Sequence, residues 1–119
     1  MKTSNISILL NTRDGKKTYN GRGVIIYPFV IHRNIKNIKT MTYYKNDWCI
    51  SHISSGRAAF YAKTLNDAER MIGVLGRFDL FKMPDCEKFN ELCRRDGSAS
   101  RDALSKEGYS FITTRFRNA

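Results

Sequence analysis

Apolar residues recur at two different periods along this chain. Between residues 48 and 63 they alternate. Trp48, Ile50 and His52 interleave with Cys49, Ser51 and Ile53, Ser54-Ser55-Gly56 supplies turn residues, and Ala58, Phe60 and Ala62 interleave with Arg57, Ala59, Tyr61 and Lys63. That pattern predicts a β-hairpin with Ala58, Phe60 and Ala62 facing inward and Arg57, Ala59, Tyr61 and Lys63 facing outward. The period then lengthens: Leu65, Ala68, Met71, Ile72 and Leu75 share one face of a helix. Thr64 stands where a helix N-cap belongs, and Asp67 falls in the first turn, where the helix dipole favours an acid. Laid across one face of the hairpin, this helix leaves the other face basic and aromatic.

The segments before the hairpin read as a meander of strands. Residues 6–10 predict a first strand, Asp14-Gly15 a tight turn, and Thr18 and Tyr19 a return strand that Gly21-Arg22-Gly23 breaks. Those glycines make a turn or, beside Arg22, a backbone approach for a phosphate. Residues 24–31, the most apolar run, predict a strand in which Pro28 marks an edge position or a bulge. His32 and Arg33 close it. Residues 34–39 read as a basic loop with Ile35 and Ile38 tacked onto the core. A further strand begins at residues 41–44, and Lys45-Asn46-Asp47 turns the chain into Trp48.

After Leu75 the character changes. Gly76 suits a helix C′ position, residues 77–83 connect, and Pro84 and Asp85 open a second helix whose buried stripe is Cys86, Phe89, Leu92 and Cys93. Asp96-Gly97 stops it. Residues 98–106 predict a short helix capped by Ser100 and ended by Gly108, residues 109–113 a strand, and residues 114–117 a mobile arm or a continuation of that strand. The expected fold is therefore α+β: an antiparallel meander sheet packed against one amphipathic helix, with a helical C-terminal extension. Residues 1–119 form a single domain, with strands mainly in 1–63, helices in 64–107 and a final strand and basic tail in 108–119.

Composition narrows the function classes. The 119 residues, 41% of them hydrophobic, suffice for one modest core, and no apolar run approaches the roughly 18 residues of a membrane span. The apolar residues 6–10 are too few for a signal-peptide core, so a cytoplasmic protein is expected. Cys49, Cys86 and Cys93 match no zinc or redox spacing and read as small buried hydrophobes. Charge is unevenly divided. Residues 1–63 carry eleven Lys or Arg against Asp14 and Asp47, a net +9, while residues 64–119 carry ten against nine, a net +1, within a total of +10. A polyanionic partner met by the strand-rich half follows from that asymmetry.

No constellation in the sequence performs recognisable chemistry. His32, His52 and Cys49 are the only conceivable metal set, and residues 49 and 52 have opposite parity on one strand, so neither a metal nor another cofactor is expected. The same parity separates Cys49 from His52 as a nucleophile–base pair, and the chain is expected to bind rather than to catalyse. Phosphates call for spread cations, and single strands also favour exposed aromatics on which bases stack. The candidate nucleic-acid contacts are Arg57, Tyr61 and Lys63 on one strand, Tyr43 or Tyr44 with Lys45 and Arg33 on its neighbours, the loop residues Lys16, Lys17, Lys36 and Lys39, and Arg115 and Arg117 in the tail.

Residues 48–75, with an aromatic residue, a glycine turn, a small-apolar strand, Lys63-Thr64-Leu65 and Asp67-Ala68-Glu69, resemble the sheet-plus-helix modules of phage tyrosine integrase N-termini and AP2-type DNA-binding domains. In those the sheet enters the major groove. The segment Ser51-His52-Ile53-Ser54-Ser55-Gly56 is also similar to short phage and prophage proteins with a Trp, a Ser/Thr-His-X-X-Ser/Thr-Gly segment and a helix. The resemblance implies a basic nucleic-acid- or nucleoprotein-binding protein encoded by a phage or mobile element and acting in the host cytoplasm. The alternative it implies is an inhibitor of a host defence complex, of the anti-CRISPR or anti-restriction type, that occludes a protein surface.

Overall fold

The computed structural model describes residues 3–54, 56–78 and 89–109, with the side chains of residues 46 and 89–94 left aside. Among these residues the chain forms five strands and two helices in an α+β arrangement. The strands are β1 (Ser4–Thr12), β2 (Gly15–Ile26), β3 (Phe29–Asn37), β4 (Thr42–His52) and β5 (Arg57–Ala62), and the helices are α1 (Leu65–Leu75) and α2 (Phe89–Lys106). All strand pairs are antiparallel and the sheet order is β1-β2-β3-β4-β5, the expected meander.

The hairpin at Asp14-Gly15 forms as expected: Thr12 pairs with Gly15, Gly15 sits at φ 95°, and the Thr12 hydroxyl donates to the Gly15 carbonyl at 2.7 Å. Three expectations for the next segments need correction. Gly21-Arg22-Gly23 does not break β2, which pairs with β1 as far as Ser4↔Gly23 and then with β3. Gly23 is a point of close approach rather than a turn, because a Cβ there would overlap the Ile6 side chain and the Ile31 carbonyl. Residues 24–31 are not one strand. The cis Tyr27–Pro28 peptide reverses the chain inside the run, and Ile26 pairs with Phe29.

The third correction concerns Lys45-Asn46-Asp47, which lies inside β4. The reversal happens earlier, at residues 38–41, where Met41 takes φ 51° and the Asn37 side-chain oxygen accepts from the Lys39 and Thr40 amides at 3.0 and 3.4 Å. Residues 34–37 therefore belong to β3. Between the pairs Arg33↔Trp48 and Ile35↔Tyr43, β3 advances two residues while β4 advances five. The supposed turn residues are absorbed in that irregularity, a bulge that bends the strand.

A second bulge changes which residues face where on β5. Ser51 pairs with Ala58 but Ile50 pairs with Phe60, so Ala59 is an extra residue. It is fully buried beside Phe60 instead of facing outward as alternation predicted. Beneath it, α1 forms as read from the sequence. The Thr64 hydroxyl accepts from the Asp67 amide at 3.0 Å, and Ala68, Met71, Ile72, Val74 and Leu75 are buried. They meet Phe29, Ile31, Ile50, Phe60 and Ala62 from the sheet, with Leu104 of α2 joining the cluster.

Two helix ends depart from expectation. Gly76 is right-handed (φ −63°) and donates its amide to Ile72, so it caps α1 without a left-handed stop. More substantially, Asp96-Gly97 does not end a helix. One helix runs through Phe89–Lys106, and Ser100, expected as a cap, instead donates to the Gly97 carbonyl one turn back at 3.0 Å. Gly108 (φ 83°) ends α2 as expected. Tyr109, expected to begin a strand, instead donates its amide to the Leu104 carbonyl at 3.1 Å just past α2. Pro84, Asp85, Cys86, the connector beyond Phe78, the rest of the strand expected at residues 109–113 and the tail lie outside the described residues. No described helix is long and apolar enough to cross a membrane.

The sheet also curls. The Asn11 amide of β1 donates to the Gly56 carbonyl in the β4–β5 turn at 2.8 Å, bringing the first strand back to the last hairpin. Gly56 takes φ 69°, and a side chain there would press on the Asn11 amide nitrogen at 2.9 Å. Both the left-handed backbone and the tight seam require glycine.

Candidate functional site

Strand alternation places His32, Cys49, Ser51 and Tyr61 on the sheet face opposite α1, since Ile31, Ile50 and Phe60 belong to the core beneath that helix. On this concave face lies a cavity of about 600 Å³. Leu10, Asn11, Thr12 and Arg13 line one side, Asn34, Ile35, Ile38 and Tyr44 another, and Gly56, Arg57, Ala58 and Tyr61 a third, with His32, Cys49 and Ser51 in the lining between.

The floor is a connected polar group. His32 Nδ1 lies 2.8 Å from the Arg33 carbonyl, which can only accept, so the ring proton resides there. Nε2 is then the acceptor, and the Ser51 hydroxyl, 2.8 Å away, donates to it. With that hydrogen committed, the Cys49 thiol, at 3.6 Å, donates to the Ser51 oxygen. Burial lowers the His32 pKa to about 4, the Arg33 carbonyl partly opposing the shift, so the ring is neutral near pH 7. Tyr19 fixes the ring: its centroid is 4.9 Å from that of His32, its hydroxyl donates to the Arg22 carbonyl at 2.7 Å, and it accepts the Arg33 amide at 3.2 Å. The Tyr43 ring also meets Tyr19, tilted by 59° with centroids 4.7 Å apart. A Ser–His contact of this kind has the reach of a nucleophile–base pair, but a ring with so low a pKa is a weak base and its third partner is a backbone carbonyl.

Positive charge stands around this neutral floor. Arg13 and Arg57 line the cavity, and the Lys36 ammonium lies 6.0 Å from the centroid of the Tyr44 ring. Among the described residues no carboxylate lines the cavity. The ion pairs among those residues, Arg77–Glu107 at 3.5 Å and Arg95–Asp96 at 2.9 Å, both lie in the helical half.

Of the contacts expected from sequence, Arg57 and Tyr61 line the cavity directly and Lys36 reaches it through Tyr44. Of the two tyrosines left open, Tyr44 lines it, while Tyr43 packs inward. Lys16 and Lys17 pair with Asn11 and Leu10, so they flank the wall that the β1–β2 hairpin supplies. Lys39 follows Ile38 in the 38–41 turn, and Lys45 and Lys63 are exposed beside the bulge and before α1. Arg33 is not brought there. Its guanidinium carbon lies 5.8 Å from the centroid of the Trp48 ring, which packs against the core under α1. Arg115 and Arg117 lie outside the described residues. His52 is separated from His32 and Cys49 and lies along a smaller recess with Val30 and Ile53.

Sequence reasoning missed Arg13, Asn11, Asn34 and Ser51. Arg13 was hidden in a turn motif, and the others depend on the register of strands distant in sequence. No protein-family model matches the chain, and neither a curated protein nor a solved structure does.

Proposed function

We propose that this chain binds nucleic acid, without catalysing a reaction on it, through the concave face of its sheet. The supporting observation is the convergence of Arg13 and Arg57 with Tyr44 and Tyr61 on one cavity that no described carboxylate lines. Arginines suit phosphate oxygens through paired, planar N–H donors, and tyrosine rings offer faces for bases. Lys36 at the Tyr44 ring and Lys17, paired with the cavity-lining Leu10 on the adjoining hairpin, continue the positive surface.

Fluorescence anisotropy with labelled DNA and RNA at two salt concentrations tests this reading. With about three phosphates neutralised, affinity should fall roughly 20- to 40-fold between about 50 and 200 mM salt. An absence of binding at the lower salt, or binding indifferent to salt, rejects it.

A further inference from the structure

We infer that the cavity receives one unstacked nucleotide of a single strand, its base beside Tyr44 and Tyr61 and within reach of the Asn11 and Asn34 amides, its phosphate held outside by Arg13 and Arg57. This rests on the nucleic-acid reading above and narrows it to unpaired strands. The volume of about 600 Å³ falls within the range of about 300–1,000 Å³ typical of sites that enclose small molecules.

Charge in the cavity is sorted by depth. The guanidinium groups come from the β1–β2 turn and the start of β5, whereas the fully buried His32, Ser51 and Cys49 offer only neutral groups. A phosphate carried to that floor would shed its hydration against three residues that carry no positive charge, which is strongly unfavourable. An uncharged planar group with donors and acceptors along its edge meets no such penalty. Asn11 and Asn34 add amide donors and acceptors to the walls, and the two tyrosines supply ring faces. A base in a duplex has its Watson–Crick edge paired and its faces stacked, so it cannot enter a cavity of this kind without being unpaired.

Three labelled ligands of equal length separate the possibilities: a thymidine single strand, the same backbone with every base removed, and a duplex. At about 50 mM salt the base-bearing strand should bind at least about tenfold tighter than the other two. Tyr44→Ala removes an exposed ring. It should lower the base-bearing strand to the level of the baseless one, and Tyr44→Phe should restore the difference. Equal binding of all three ligands overturns the cavity assignment and leaves the nucleic-acid reading standing. A preference for the base-bearing strand that survives both Tyr44→Ala and Tyr61→Ala also overturns the assignment. No binding to any ligand overturns both.

Discussion

Beneath α1, β3, β4 and β5 present Ile31, Ile50 and Phe60 to a helix stripe of alanine, methionine and aliphatic residues, and the space is filled. One residue along the same strands the side chains are His32, Ser51 and Tyr61, and the space is left as a cavity. Both faces are buried at their centres, yet by different means. The helix-covered face is stabilised by removing apolar surface from water, the cavity face by satisfying each polar group with another. The first arrangement has no purchase for a ligand, and the second underlies a hollow whose walls carry Asn11, Asn34 and Tyr44.

Substitutions should separate the faces most sharply under the helix. Leu75→Ala empties a fully buried site in the α1 core and should cost roughly 2–5 kcal/mol in urea unfolding, against a small change in ligand affinity for the protein that remains folded. A loss below about 1 kcal/mol would mean that this face is not the one that holds the fold.

Acid should act next most strongly, chiefly through His32 on the opposite face. His32 binds its proton less readily when folded, with a pKa near 4 against the ordinary 6.5, and burial lowers the pKa of His52 as well. The unfolded chain therefore takes up more protons between pH 6.5 and 4, and stability must fall as pH drops through that window. For His32 the gap corresponds to roughly 3 kcal/mol. Chemical denaturation at pH 7 and pH 4.5 should show the loss, and His32→Gln should make the dependence shallower. An unchanged slope in that variant would place the acid sensitivity elsewhere.

The smallest effect distinguishes two arginines. Arg13→Gln should reduce the salt slope of nucleic-acid binding by about one, whereas Arg33→Gln, on the α1 side over Trp48, should leave it unchanged. Equal effects would erase the functional difference between the faces.

Much of the helix-covered face was legible because its signals are local. The Thr64 cap, the spacing from Leu65 to Leu75 and the alternation around Ile50 and Phe60 need no knowledge of distant residues. The cavity face was less legible. Both arms of the hairpin around Tyr27-Pro28 are apolar, so the run reads as one strand, and the bulge at Ala59 moves Ala58 to the cavity side without any mark in the sequence. Asp96-Gly97 carries the composition of a stop, yet helix α2 continues through it. The charge imbalance between the halves was visible, but the place of Arg13 at the cavity follows only from the curl that returns β1 to Gly56.

That curl ties shape to occupancy. Asn11 fastens the seam with its amide and also borders the hollow, as does Gly56 on the other side. Because the same two residues form the seam and border the hollow, a guest leaning on both would act as a brace between the molecule's first and last strand pairs.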